Sequence, residues 1–462
     1  MRSAAALLAA ALAAAPAAGM AQEAEQAPAL APAPPAEPAT QRYTLDACVA
    51  AALASSGQVA EARGKVAEWE AKVGEAKSVY YPKLTGIAFA APTFAVRGDG
   101  DDVERDLKTW GPYLRFEGLL AQPVSTFGRA EAAERAARER TGVEKGSLEL
   151  VRQRVAMEVR RYWLLHLYAR SLKPMLDSIG KTLDQARTKA QELYDAKSGK
   201  VTNVDLMKLE FGWTELQKYK VQADFGAGLA LAALKHTMGL APDSPLELAD
   251  EVLPSLDDAP LPPLEELVKL ARERRPESAQ LEHGRKAAES LTRMEARADL
   301  PVLAVVGQLS AGWSPVRDDP SYYYAYDPYN EVSGGVALAL RFDLDPARSR
   351  ARADGARSLS TQVDGLARYA ATGMPVEVRK ARDEAEQARR MVELSQQGSS
   401  ATRKWMAFAG AAYAAGTGET KDLLEGVAAY AQARKGYFDA LLAYHTARAQ
   451  LEVATGAPPG RP

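Results

Sequence analysis

The chain has 462 residues, a formal net charge of −2 and a single cysteine, Cys48. This nearly neutral balance lacks the basic surface typical of nucleic-acid binding, so we expect no nucleic-acid partner. One cysteine excludes an intrachain disulfide framework and a cysteine-based metal cluster.

The N-terminus has the pattern of an export signal. Arg2 is followed by an Ala/Leu run over residues 4–18 and then by small residues around Met20. This pattern is typical of a secretory signal peptide over 1–21. Residues 22–42 are rich in proline and alanine and predict an extended linker. No later stretch reaches 18 uninterrupted apolar residues, so the sequence predicts no transmembrane helix.

Residues 44–156 and 263–375 read as two copies of one unit. Leu45, Pro82 and Arg129 each have an identical residue 219 positions later. A register that stays constant over this length predicts one structural unit used twice. The expected organisation is a first repeat over 43–242, an inter-repeat linker over 243–262, a second repeat over 263–456 and a tail over 457–462.

Each unit predicts a helix, two strands, a long helix and a shorter return helix. Thr44 is a candidate N-cap of the first helical segment. The proline at 82 disfavours helical backbone at Tyr81 and ends the next helix there. The elements expected in the first unit are a helix over 57–80, strands over 84–94 and 113–125, and a charged loop over 95–109. Those expected in the second are a helix over 277–299, strands over 302–313 and 333–345, and a polar and aromatic loop over 314–332.

The strand near residue 340 alternates most clearly. Val336, Leu338 and Leu340 lie on one face, and Arg341 and Asp343 lie on the other, where they would either face a lumen or form a local ion pair. Such alternation fits a strand of a transmembrane β-barrel, and it equally fits a two-stranded ribbon packed on a soluble domain. The signal peptide and the duplication favour the membrane. The tyrosines at 322–326 and 329 would then lie at the membrane interface.

Each predicted hairpin is followed by a very long helix. From Leu148 to Leu193, positions spaced alternately three and four residues apart are apolar, with Glu158 as the exception. This period implies left-handed supercoiling with neighbouring helices. A helix from Gly128 to Ser198 would span on the order of 100 Å, and Pro174 is expected to kink it. The short and return helices together nearly match this length, so they are expected to stack end to end beside it.

Four strands cannot close a sheet on themselves. In lipid, each unpaired backbone group at an open edge costs several kcal/mol. Outer-membrane barrels begin at about eight strands, so several chains must share one barrel. Three chains would supply twelve strands.

The order and repetition of these elements resemble the TolC-type outer-membrane efflux protein family over residues 43–456. The segments that carry the resemblance are 44–47, Gly128-Arg129, 415–418, 422–425 and the closing run 430–456. The resemblance implies a mainly α fold in which a long coiled-coil α-helical barrel continues into a trimeric 12-stranded outer-membrane β-barrel. It also implies a cell outer-membrane location with a large periplasmic portion.

The family further implies a function and partners. The expected function is a passive exit duct of a tripartite efflux or type I secretion system, and not an enzyme. The expected partners are two further copies in a homotrimer, a periplasmic adaptor protein, an inner-membrane pump and outer-membrane lipid. No cofactor is expected. The second repeat departs from the family at Pro346-Ala347, where a glycine pair is usual before the arginine.

Acidic residues near the second return helix are the candidate gate. Asp422 and Glu425 lie three residues apart on one helix face. The resemblance implies that they form rings that constrict the periplasmic entrance, and such rings favour cations. Alternatively, they only complement the helix dipole. Asp205 is the first-repeat counterpart, but Lys208 stands where the second acid would be.

The turns at the helix ends are the candidate adaptor contacts, and their alternative interpretation is plain helix–helix turns. The residues concerned are Ser198, Gly199, Gly416, Thr417 and Gly418. The sequence contains no pattern of catalytic residues, and its four histidines lack metal-ligand spacing.

Two other functions remain open from the sequence. A periplasmic adaptor also contains a long helical hairpin, but it should have one hairpin flanked by small β-domains. A soluble periplasmic coiled-coil scaffold should be released without detergent.

Overall fold

The computed structural model describes residues 42–98, 102–257, 259–318 and 329–457. The helices are α1 (Leu45–Ser55), α2 (Gly57–Lys77), α3 (Arg129–Asp195), α4 (Asn203–Thr237), α5 (Leu264–Arg274), α6 (Pro276–Glu295), α7 (Pro346–Ala414) and α8 (Thr420–Ala454). The strands are β1 (Arg42–Tyr43), β2 (Lys83–Arg97), β3 (Glu104–Ser125), β4 (Glu247–Leu248), β5 (Val302–Trp313) and β6 (Val332–Arg341). The predicted signal peptide and most of the linker after it lie outside the described residues.

Two short helices, two strands, a long helix and a return helix follow one another in each half of the chain. The corresponding helices have similar lengths, with 67 residues in α3 and 69 in α7 and 35 in both α4 and α8. The predicted start signal is confirmed, because the Thr44 hydroxyl accepts a hydrogen bond from the Ala47 N–H at 3.3 Å. Tyr81 is extended before the proline, as expected.

Strands β2, β3, β5 and β6 form one antiparallel sheet in that order. The first hairpin is longer than predicted, because residues 95–97 and 104–109 belong to strands and not to the charged loop. Ala95 pairs with Asp106 and Arg97 pairs with Glu104. The charged side chains at this end are exposed, so the strands continue without burying them.

The last strand is shorter than predicted. It ends at Arg341, and residues 342–345 lie outside it. The reason is the start of α7, where the Asp345 carboxylate accepts a hydrogen bond from the Arg348 N–H at 3.1 Å and Pro346 occupies the first helical turn. The tyrosines at 322–326 lie outside the described residues.

The strand register gives the sheet two chemically different faces. Directly paired residues lie on the same face, and the face alternates along each strand. The face containing Leu338 is apolar on every strand except at Gln122 and, beyond the two register shifts, at Arg105 and Ser125; we call it the apolar face. Its larger members are Leu84, Leu114, Phe116, Leu120, Leu303, Val305, Leu309, Trp313, Val336, Leu338 and Leu340.

The opposite face, called here the polar face, carries the charged residues of the sheet interior. Its polar members are Lys83, Thr85, Thr93, Arg115, Glu117, Gln308, Ser310, Ser333 and Arg341. It also holds Ile87, Phe89, Leu119, Val302 and Val306, which is why β2, β3 and β5 do not alternate clearly in the sequence. The predicted side for Arg341 is therefore confirmed, whereas Asp343 lies beyond the end of β6.

The apolar face is open to solvent in the single chain. Val336 is 80% exposed, Leu84 is 75% exposed and Leu338 is 68% exposed. Monomeric soluble proteins rarely expose a contiguous apolar surface of this size. In the described residues, no helix has both the length and the apolar character needed to cross a membrane.

The shorter helices pack on successive parts of α3. α2 lies beside its first part, where Lys145 pairs with Glu70 at 3.1 Å. α4 lies beside its last part, where Arg187 pairs with Glu210 at 2.6 Å. α3 rises about 1.5 Å per residue over 67 residues, which gives on the order of 100 Å. Pro174 lies within α3, which continues past it.

The predicted apolar seam of α3 faces the helical core. Its fully buried members are Val155, Leu176, Ile179, Leu183, Ala186 and Ala190. Residues between the two halves also pack on this core, because Leu248 and Leu253 are buried and the Leu253 N–H donates to the Ser171 hydroxyl at 2.9 Å. The inter-repeat linker therefore contributes to the fold: its strand β4 pairs with β1.

Candidate functional site at the helix tips

Each long helix reverses direction in a short turn. In the first tip (residues 196–202), Lys197 and Gly199 have positive φ, and the Ser198 N–H and hydroxyl both donate to the Leu193 carbonyl. In the second tip (residues 415–419), Gly416 has a φ of 75°. The left-handed conformation at Gly199 and Gly416 favours glycine, because a side chain there is strained.

The second tip is wound tightly around one carbonyl. The N–H groups of Thr417 and Gly418 both donate to the Ala412 oxygen, each at 3.0 Å, and the Thr417 hydroxyl donates to it at 3.1 Å. A Cβ at Gly418 would lie 2.9 Å from the Tyr413 nitrogen. A larger residue at 418 would therefore open the turn.

Lys200 joins the two tips. Its Nζ donates to the Gly416 carbonyl at 3.0 Å, across 216 residues of sequence. Sequence reasoning placed Lys200 within a tip turn but missed this contact, since only a structure shows which carbonyl a flexible lysine reaches. The side chain of one tip therefore holds the backbone of the other.

Asp205 has a local structural role. Its carboxylate accepts hydrogen bonds from the Thr202 N–H at 2.9 Å and hydroxyl at 2.6 Å, and its own N–H donates to the Thr202 hydroxyl at 3.3 Å. This is a capping box at the start of α4. The hydrogen bonds from Thr202 lower the pKa of Asp205, because they stabilise its charged form.

The other two predicted gate residues lie on one exposed face of α8. Glu425 is 3.9 Å from Lys421 in an ion pair within the same helix. The Asp422 carboxylate makes no hydrogen bond or ion pair with any described residue, although it lies in the first turn. The dipole of α8 favours a carboxylate at this position, but no cap bond fixes it. Both residues are exposed in the single chain.

The Lys200 contact can be tested by replacing Lys200 with methionine, which keeps the length of the stem and removes the ammonium. Spin labels at Ala196→Cys and Ala415→Cys report the tip-to-tip distance by pulsed electron–electron double resonance. The distance distribution should be broader in Lys200→Met than in the protein with native Lys200. Burial raises the pKa of the native Cys48 thiol to about 11, so this cysteine does not take up label at neutral pH.

Lys197→Met is the matched control, because Lys197 lies in the same turn and its side chain makes no hydrogen bond or ion pair in the described structure. We expect it to leave the distances unchanged. Identical distributions in the native protein and Lys200→Met would show that the lysine does not hold the tips together.

The Asp205 capping box predicts a pH-dependent start of α4. A carboxylate whose pKa is lowered by folding stabilises the fold above its unfolded pKa of about 3.9 and stops doing so as the pH falls through the lower folded value. A spin label at Asn203→Cys should therefore become more mobile below about pH 4. In Asp205→Ala it should be mobile already at neutral pH.

Asp422→Ala serves as the control for this measurement, since Asp422 makes no cap bond, and it should leave the label at 203 unaffected. If Asp205→Ala matched the native protein at every pH, the capping box would not stabilise the helix start.

Known proteins resemble this chain in sequence and in fold. Residues 267–457 match the model of a family described as outer membrane efflux protein. No sequence among curated proteins matches the chain. Among solved structures, the outer-membrane channel OprN has a TM-score of 0.73 at 16% identity, covering 90% of this chain and 91% of that one.

Two further channels have the same fold. CusC has a TM-score of 0.73 at 16% identity, covering 89% of this chain and 92% of its own. The CmeC outer membrane channel of Campylobacter jejuni has a TM-score of 0.72 at 14% identity, covering 89% and 85%. At these identities the structures establish the fold, and the family match rests on the second half of the sequence. Residues 267–457 thus match the family described as outer membrane efflux protein, and the chain has the fold of these outer-membrane channels.

Proposed function

We propose that this protein is the outer-membrane exit duct of a tripartite efflux or type I secretion system and works as a homotrimer. The observation that carries the proposal is the four-stranded sheet, with one apolar face, one polar face and two open edges. In lipid the apolar face would contact acyl chains and the polar face would line water.

The open edges favour a shared sheet. Within the described residues β2 and β6 each pair with only one strand, and unpaired backbone groups in lipid cost several kcal/mol each. Three chains with four strands apiece close a twelve-stranded sheet if β6 of one chain pairs with β2 of the next. The helices would then continue from this sheet into the periplasm.

Exposed apolar stripes on two helices support side-by-side copies. On α4, Val204, Phe211 and Phe225 follow a seven-residue period and are more than half exposed. On α7, Leu394 and Phe408 share the same period and are 62% and 75% exposed. Such stripes are typical of coiled-coil contacts, so each chain would place them against its neighbours.

The alternatives fit the structure less well. An adaptor should have one helical hairpin flanked by separate β-domains. Here two helical hairpins extend from one sheet that both halves of the chain build. A soluble scaffold would leave the apolar face of the sheet in water. Neither alternative explains why the sheet separates apolar from polar residues.

The proposal predicts that the native protein fractionates with the outer membrane. It should need detergent for extraction and run as an SDS-resistant trimer that heating converts to a monomer. In planar bilayers it should form ion-conducting channels. A monomer released into the aqueous fraction after lysis would contradict the proposal.

Within this duct, we propose that Asp422 and Glu425 form the periplasmic constriction. Three copies would bring six carboxylates near the axis, where they attract and bind cations. The free Asp422 carboxylate and the exposed Glu425 support this role. Asp205 contributes less, because its carboxylate is occupied by Thr202. Ser198, Gly199, Gly416, Thr417 and Gly418 would present the tips to the adaptor.

The double variant Asp422→Ala/Glu425→Ala should raise single-channel conductance and weaken block by divalent cations, because it removes the carboxylate rings. Planar-bilayer recording with added divalent cation measures both effects. The matched control is Asp383→Ala/Glu386→Ala, an acidic pair with the same spacing that is ion-paired along α7. Equal conductance in all three proteins would mean that Asp422 and Glu425 only complement the helix dipole.

A further inference from the structure

The segment after β5 crosses the sheet. Residues 314–318, called here the strap, leave β5 and reach β2, where the Val96 N–H donates to the Val316 carbonyl at 3.0 Å and the Asp318 N–H donates to the Val96 carbonyl at 3.1 Å. β3 lies between β2 and β5 in the sheet. The strap therefore passes over one face of β3.

Gly111 identifies that face. It pairs with Thr93, and both belong to the polar face. A Cβ at Gly111 would lie 2.9 Å from the Val316 Cγ2 and 3.2 Å from its Cβ, so the valine occupies the space above this glycine. Arg317 Nη2 also donates to the Thr93 hydroxyl at 3.1 Å. The strap thus lies on the polar face.

Several contacts fix the strap in place. The Arg317 guanidinium lies 4.6 Å from the Phe94 ring centroid and 3.9 Å from that of Tyr329, within the range of cation–π attraction. Asp318 accepts a hydrogen bond from Arg97 at 2.9 Å.

Asn330 bonds both ends of the strap. Its side-chain oxygen accepts from the Ser314 N–H at 2.8 Å, and its amide nitrogen donates to the Arg317 carbonyl at 2.7 Å. Because Asn330 bonds Ser314 and Arg317 and the Arg317 guanidinium is stacked on two rings, the strap is a fixed part of the sheet surface.

The strap lies far from the helices. β2 begins at Lys83, next to α2, and the strap bonds it at Val96, thirteen residues further on. At about 3.3 Å per residue this is roughly 40 Å along the strand. Any effect of the strap on passage therefore occurs at the end of the sheet opposite the helix tips.

We propose that the strap is a second constriction of the duct, which sets an upper size limit for solutes at the outlet. This inference rests on the proposed function, because the polar face is an interior surface only when copies of the chain close the sheet. Three straps would then project into the lumen at one level. Arg97 holds the Asp318 carboxylate, and the rings of Phe94 and Tyr329 and the Thr93 hydroxyl hold the Arg317 guanidinium, so neither side chain is loose in the lumen.

Polymer exclusion locates such a constriction. Polyethylene glycols of graded mass are added to one side of a bilayer, and those that enter the channel lower its conductance. Gly111→Ala should displace the strap, because its new Cβ takes the place of Val316. From the sheet side, the largest polymer that enters should be larger than in the native channel, whereas the limit from the helix-tip side should not change.

A second variant displaces the strap without adding bulk. Arg317→Ala/Asp318→Ala removes the stacked guanidinium and the partner of Arg97, and it should raise the same limit. Gly335→Ala is the matched control: this glycine lies on the same face, and nothing lies within 4 Å of an added Cβ. It should keep the native limit.

The outcomes separate the inference from the function on which it rests. If the native protein forms channels and its size limit on the sheet side equals that of Gly111→Ala, of Arg317→Ala/Asp318→Ala and of the control, the strap proposal is wrong. The proposed duct function would still stand. If Gly111→Ala fails to assemble, the double variant decides alone. Absence of channels from the native protein would overturn both proposals.

Discussion

Backbone hydrogen bonding at the edges of the sheet is the constraint on which the rest of this structure depends. Apart from Val96, which the strap bonds, β2 and β6 each present a row of N–H and C=O groups that no other strand of the described residues reaches. Water can satisfy such groups, but lipid cannot. In the proposed duct, strands of neighbouring copies would pair with these edges and so satisfy the backbone groups.

The helices follow from the same requirement. A shared sheet needs protomers that stay in register, and long supercoiled helices supply a contact surface over their whole length. Two shorter helices pack along the length of α3: α2 lies beside the first part of α3, and α4 lies beside its last part. The apolar stripes left exposed on α4 and α7 extend the same packing pattern beyond the single chain.

Most of the fold could be predicted from the sequence, because its signals are local and repeated. The Thr44 cap, the proline after Tyr81 and the seven-residue spacing in α3 each depend on neighbouring residues alone. The end of β6 was predicted too far along, because the alternation continues through residues 342–344 while the Asp345 cap and Pro346 already start the helix. The charged end of the first hairpin resembled a loop, since a solvated strand needs no apolar alternation.

The site was less predictable, because its contacts join distant parts of the chain. No sequence pattern reveals that Lys200 reaches the Gly416 carbonyl or that Val316 lies over Gly111. The roles of the acids were open for a similar reason. Asp205 and Asp422 both occupy the first turn of a return helix, but only Asp205 has a threonine three residues before it, and that threonine engages its carboxylate.

This difference gives the two hairpins unequal resistance to deformation. α4 begins with a reciprocal capping box, whereas α8 begins at Glu419 without a side-chain cap. A missing cap commonly lowers helix-end stability by about 1 kcal/mol. Bending or unwinding at the mouth of the tunnel would therefore start in the second hairpin, with the first acting as the stationary support. In the proposed trimer, this asymmetry between two halves with the same order of elements would give each of three positions one helical hairpin that moves and one that stays fixed.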